Sequence, residues 1–337
     1  MTKLTPGNWQ PPYPAFVADV ADPYLTVSQL AVQAAGDDGD AIARDELTGL
    51  LEAAAGLLHH EGVFHEDDQG FRNDILLVYW SEPDDFVRWR ASDGPAGFFE
   101  RDRTGDTGVW IEAFSSPSSH FETSYSRGSV DFGISCHHAT REDPIHGYYG
   151  AMRDRIPAAE DGGLAATVAR LNRELQPDSR GRHLSVQLPA NLCFIRTVQG
   201  WLACTDEERD YFMENTYPHY EAGVAYLQDN PVASNCVGAR LVSDASSGKN
   251  KPQTETLAWF LSLTDLEAWT WNHPTHDAII TNFMAHAQKF DFDVDILLGH
   301  EVSIVPADAG HAEYHNCHAA TGFLRFFESM DCRPFAA

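Results

Sequence analysis

Histidine is the residue type here whose spacing first points to chemistry. The stretch LGHEVSIVPADAGHAEYHNCHAATGFL, residues 298–324, holds His300, His311, His315 and His318, four of the 16 histidines in the chain. An imidazole changes charge near neutral pH and ligates metals when neutral, so such a cluster suits acid–base work or metal binding. His300 opens a strand-like HEVSIV in which Val302 and Ile304 share its face. It reads either as a satisfied core histidine or as a ligand. The apolar alternation predicts two strands around a polar turn, with His300 facing His318 across the hairpin. His318, in YHNCHAATG, reads as a turn histidine bonded to backbone or as a general acid/base. His311 reads as a solvated turn residue, and His315 points away.

Other groups invite the same double reading. HPTH, residues 273–276, opens a helix. Its two histidines lack further zinc ligands at helical spacing, so capping is their expected role. Arg196 sits inside the apolar NLCFIRTVQGW, where a cation is costly unless paired. It is expected either in a salt bridge or as a donor fork aimed into a pocket. YYGAMRDRIP, residues 148–157, places Arg153 and Arg155 around Asp154, an ion pair or an anchor for an anionic cofactor group.

Positioning these residues requires strands and helices in a set order. ILLVYWSEPDDFVRW (75–89) and TLAWFLSLTDLEAW (256–269) each read as strand, helix cap and amphipathic turn ending in Trp. His120 follows Trp89 by 31 residues, and His300 follows Trp269 by 31 residues. Residues 24–34 and 191–201 read as strands. Each precedes a helical pattern, 40–60 and 206–229, and 236–242 reads as a further strand. Each half therefore spells β-α-β-β-α-β, the ferredoxin-like unit. The expected organisation is 1–156 as an N-terminal half with an extended Pro-rich arm, 157–189 as a connection, and 190–337 as a C-terminal half. Residues 249–253 read as a hairpin loop.

Composition narrows the function. Fifty acidic against 23 basic residues give a formal net charge of −27. Such a surface repels phosphates, which argues against nucleic acid or an anionic membrane as partner. No apolar run is long enough to span a bilayer, and the Pro-rich start lacks the apolar core of a signal peptide. Six cysteines without a CxxC pattern read as free thiols of a cytoplasmic protein. GxGxxG, Walker A, GxSxG, HExxH and CxxCH are all absent from the sequence.

Taken in order, YYGAMRDRIP, PANLCFIRTVQGW, HPTHDAI, HEVSIV and YHNCHAATGFL resemble the haem-dependent aldoxime dehydratases, the phenylacetaldoxime and alkylaldoxime dehydratase family. The likeness runs from about Tyr24 to Phe327. It implies a lyase that turns aldoximes, R–CH=N–OH, into nitriles and water. It implies a homodimeric α+β barrel of two ferredoxin-like repeats with helices outside the sheets. The cofactor would be haem b, ferrous for activity. His300 would be the proximal iron ligand, His318 the distal acid/base and Arg196 the distal arginine. The family's substrate-binding serine would fall at Gly238, where no hydroxyl stands. The alternatives are a peroxidase-like haem enzyme of the same architecture and a non-catalytic haem-binding protein.

Overall fold

Strand and helix alternate along the chain in two similar series. A computed structural model describes residues 4–11, 13–36, 39–103, 105–172, 179–245 and 252–332. The first series runs β1 (Phe16–Ala18), β2 (Tyr24–Ala35), α1 (Ala41–Glu52), β3 (Leu57–Glu66) and β4 (Phe71–Trp80). It continues through α2 (Pro83–Ala91), α3 (Asp93–Glu100), β5 (Gly108–Pro117), β6 (Phe121–Tyr125), β7 (Thr140–Glu142) and α4 (Ala151–Arg155). The second runs β8 (His183–Val186), β9 (Leu192–Gly200), α5 (Asp206–Asn215), α6 (Tyr217–Asp229), α7 (Pro231–Ser234) and β10 (Cys236–Asp244). It ends with β11 (Gln253–Phe260), α8 (Leu263–Asn272), α9 (Pro274–Lys289), β12 (Leu297–Val305), β13 (Gly310–His315) and β14 (Ser329–Asp331).

Local chemistry sets the boundaries. Asp40 caps α1 by accepting from the Ala43 N–H at 3.0 Å. The helical pattern expected over 40–60 stops early: Gly56 takes φ +80°, and the chain turns straight into β3. The pattern over 206–229 is two helices, broken at Thr216 just before Pro218, which lacks the N–H a helix interior needs. Ser262 caps α8, and the His273 ring caps α9 by accepting from the Thr275 N–H, as expected for HPTH.

All paired strands are antiparallel and join one sheet, ordered β14-β8-β13-β5-β2-β4-β3-β10-β11-β9-β12-β6-β1-β7. The fold is α+β. In the first half β5-β2-β4-β3 is the order fourth-first-third-second; in the second, β10-β11-β9-β12 is the same order reversed. The halves meet where β3 pairs with β10, at Phe64 with Ser243 and Val63 with Asp244. The sheet curls, because the Ser116 Oγ donates to the Ile304 carbonyl at 2.9 Å, bringing β5 to β12. Phe114 thereby packs on Phe194 and Trp259, at ring separations of 5.4 and 5.6 Å.

Because strand side chains alternate, each half has an inner and an outer apolar face. The inner faces share one core that includes Val27, Leu77, Phe194 and Leu257. The outer face of the first half packs Leu30, Val32 and Val78 against helix residues such as Leu47 and Trp89. The outer face of the second half packs Cys193, Phe260, Val302 and Ile304 under Tyr220, Val224, Leu266 and Trp269. Full burial of each such large side chain contributes about 1.5–3 kcal/mol, which fixes the helices there.

Three expectations change. β12 and β13 do not form a hairpin pair: β12 lies between β9 and β6, and β13 between β5 and β8. With both edges of each strand occupied, His300 and His318 do not face each other. His120 lies beyond the end of β5, whereas His300 lies inside β12, so their shared spacing marks no equivalent position. His311 lies on β13 and contacts Glu313 at 2.8 Å, so it is a strand residue. The expected 249–253 loop lies mostly outside the described residues. The N-terminal arm rests on α4: the Leu4 N–H donates to Asp154 at 2.9 Å, and the Trp9 indole donates to the His146 carbonyl at 2.8 Å.

Candidate active site

Parity along β9 and β12 decides which residues share a face. His300 pairs with Thr197, and Glu301 pairs with Arg196. Val302 and Ile304 belong to the outer, helix-covered cluster, as do Cys193 and Ile195. His300 and Thr197 follow the same parity and stand on that outer face. Arg196 and Glu301 stand on the inner one.

Around His300 three elements meet. Its Nε2 lies 2.9 Å from Glu122 Oε1, on the neighbouring β6, and 3.3 Å from an Arg155 terminal nitrogen at the end of α4. Arg155 Nε donates to the other Glu122 oxygen at 2.6 Å. Nε2 can donate to Glu122 or accept from Arg155, so one nitrogen touches both a proton acceptor and a cation. The Glu122 side chain is 2% exposed, while His300 is 29% exposed. Burial pushes the Glu122 carboxyl up, but Arg155 and His300 outweigh it and hold the group below its usual range. On the adjoining strand, Thr197 Oγ1 lies 2.8 Å from Tyr220 Oη of α6, and Tyr220 also contacts Thr256.

The helix layer over this face carries a second histidine. His276, in the first turn of α9, packs edge-on to Trp269 with ring centroids 4.8 Å apart. Burial pushes its pKa down to about 4, opposed by the Thr270 backbone and Asp277, so the ring is neutral at pH 7. Its Nδ1 is buried without a hydrogen bond of good geometry. Ile280 and Met284 of the same helix are each 41% exposed, apolar surface of the kind a flat hydrophobic cofactor covers. A neutral imidazole beside such surface fits an axial ligand of haem.

The residues expected to form one site are not brought together. Arg196 is 1% exposed and lies in the inner core. Its guanidinium donates to Glu255 at 2.9 and 2.8 Å, to Glu61 at 2.6 Å and to Tyr79 Oη at 2.9 Å, the salt-bridge alternative. His318, just beyond β13, lies against the first half, with Nε2 3.0 Å from Asp67 and Nδ1 accepting from the Ala320 N–H at 3.2 Å. That is the backbone-bonded turn histidine of the plain reading. Gly238 stands in β10 with nothing within 4 Å of where a Cβ would project. Arg153 pairs with Glu267 rather than with Asp154. Glu122 and Thr197 are not among the residues the sequence points to, though HFETS stands out, and His276 reads there only as a capping residue of HPTH. Thr197 is one residue beyond the arginine chosen.

The family model for haem-containing dehydratases matches residues 29–323. The chain is 30% identical over 333 residues to the phenylacetaldoxime dehydratase of Bacillus sp. (strain OxB-1), covering 97% of this chain and 95% of that one. It is 31% identical over 341 residues to the aliphatic aldoxime dehydratase of Rhodococcus erythropolis, covering 96% and 94%. A crystal structure of an aldoxime dehydratase with butyraldoxime superposes with a TM-score of 0.88 at 28% identity, over 97% of this chain and 92% of that one. The chain belongs to the haem-containing dehydratase family.

Proposed function

We propose that this chain dehydrates aldoximes to nitriles with haem b as cofactor, and that His300, Glu122 and Arg155 are its proton-handling centre. The observation that carries this is the buried carboxylate and guanidinium that converge on a single nitrogen of a half-buried imidazole. Loss of water from R–CH=N–OH needs a proton on the departing hydroxyl and removal of the C–H proton. The two transfers balance, so one group can perform both. Glu122 holds the His300 Nε2 proton until the oxime oxygen takes its place as acceptor. The ring, entering as imidazolium, gives that proton to the departing hydroxyl, and the neutral ring then accepts the C–H proton. Arg155, already fixed on Glu122, directs a second donor at the same oxygen. The Thr197 hydroxyl, across from His300, supplies the polar contact sought at Gly238. Ferrous haem, when bound, supplies an open coordination position that polarises the oxime nitrogen.

The division of labour differs from the one implied by resemblance. His300 Nε2 is committed to Glu122 and Arg155. His276 is neutral, lies in the apolar helix layer and is free of ion pairs in the described structure. We assign His276 as the iron ligand and His300 as the acid/base. We further read the two halves, 1–156 and 190–337 around the connection 157–189, as duplicated ferredoxin-like units. The expected assembly is a cytoplasmic homodimer. In keeping with a non-membrane protein, no helix among the described residues is long and apolar enough to cross a bilayer.

The deciding experiment compares His276→Ala with His300→Ala. His276→Ala should lose the Soret band of the purified protein. His300→Ala should keep that band and lose turnover. The opposite pattern would return the iron to His300.

A further inference from the structure

A second cluster of potential ligands lies in the first half, on the inner side of β3. That strand carries a bulge between Leu57 and His59. Bulges re-aim side chains, and beyond this one His59 and Glu61 share a face. The helical turn Gly133–Cys136 closes over them, with the Gly133 N–H donating to Glu61 at 3.1 Å and the Ile134 N–H to Glu301 at 2.7 Å. A ring nitrogen of His59, a Glu61 carboxylate oxygen and Cys136 Sγ all lie within 4.8 Å of one another. Cys136 Sγ is also 3.4 Å from an Asp131 oxygen, and the His137 ring lies 5.6 Å from that of His59.

The charge behind this trio supplies an independent argument. Glu255 and Glu301 are buried, and the Glu61 side chain is 9% exposed, around Arg196. The ion pairs recorded for these carboxylates among the described residues go to one guanidinium, Arg196, and to His59. Three carboxyls therefore share a single permanent cation. Such a cluster is short of positive charge, and a dication beside Glu61 would make up the deficit.

We propose that His59, Glu61 and Cys136 bind a divalent, borderline-soft metal ion, Zn²⁺ by the chemistry of its donors, separately from the haem. Nitrogen, oxygen and sulfur together suit zinc, and Asp131 or water can complete a tetrahedral set. Binding requires the Cys136 S–H to release its proton to solvent, and His59 to give up the N–H it directs at Glu61, by moving that proton to its other ring nitrogen, so that a lone pair faces the ion. The zinc stays divalent, so no oxidant is needed. The ion would tie β3 to the 133–136 turn beside the seam between the halves.

Alkylation of the holoprotein tests this. After treatment with EDTA, Cys136 should react with iodoacetamide, while the buried Cys193, Cys236 and Cys317 report that the fold is intact. Addition of Zn²⁺ should slow labelling of Cys136 by at least about tenfold, and renewed EDTA should restore it. Elemental analysis should find about one zinc per chain, lost in Cys136→Ser and His59→Asn while haem iron is retained. Labelling of wild-type Cys136 that ignores Zn²⁺ overturns the proposal, whatever the variants do. So does zinc that stays bound equally well in both variants.

Discussion

One strand pair presents two faces of opposite character. On the inner face of β9 and β12, Arg196 and Glu301 are 1% and 3% exposed, and each polar group has a partner. On the outer face, one residue along, Thr197 and His300 meet Glu122 and Arg155, and the imidazole keeps 29% of its surface open. Both faces bury charge. The inner one encloses it among Tyr79, Glu61 and Glu255 and the ring of Phe132, so it acts as structure. The outer one leaves the His300 imidazole in reach of a small molecule. Burial of the partners with exposure of the centre marks the functional face more clearly than charge alone does.

The largest expected effects separate the faces. Arg196→Met strands Glu61 and Glu255, and breaking a buried ion pair in this way costs about 3–5 kcal/mol. The loss should appear in urea unfolding, while the protein that remains folded keeps its turnover per haem. His300→Ala should do the reverse, lowering kcat by about 10²–10⁴-fold while leaving the urea midpoint close to wild type, because Glu122 keeps Arg155. An Arg196 variant that is stable but inactive would break the comparison.

Next comes Arg155→Lys. A lysine cannot hold Glu122 through Nε and direct a second donor to His300, so kcat/KM should fall by about 10²-fold. Thr197→Val should cost less, about tenfold, the worth of one hydrogen bond, with Thr197→Ser restoring most of the activity. Steady-state kinetics of both variants should rank in that order. Equal losses would mean that Thr197 does more than make one polar contact.

The same alternation explains what the sequence could and could not disclose. The β-α-β-β-α-β order was legible, because strand alternation, the caps at Asp40 and Ser262 and the HPTH helix start are local signals. The site was legible as motifs and not as a constellation. HEVS, FIRT, MRDR and HFET all contain residues that meet, yet Glu122 and His300 are 178 positions apart. Their meeting depends on β6 lying beside β12, a long-range pairing that no local pattern encodes. The error at Arg196 has a simple physical source. The cation draws the eye, but with a two-residue period its neighbour Thr197 faces the helices. His318 misleads for a related reason: closeness in sequence to His300 suggested a hairpin, and both strands had other partners.

The smallest effect concerns the inner face alone and carries a definite sign. Burial pushes the Glu255 carboxyl up to about 7, with Arg196 pulling it down and Glu61 adding repulsion. The unfolded chain releases this proton near 4.5, so between there and about pH 7 the folded state binds more protons. Stability from this group therefore falls as pH rises through that window and levels off above it. Glu61, held low by Arg196 and His59 against the opposing push of burial, acts in the other sense and only in more acidic solution, where protonating it weakens the fold. Glu255→Gln keeps an acceptor for Arg196 and removes the charge. The variant's melting temperature relative to wild type should rise between pH 5 and pH 8. A difference that stays flat across that range would show that Arg196 fully neutralises both acids, and the charge argument for a metal beside Glu61 would then lose its footing.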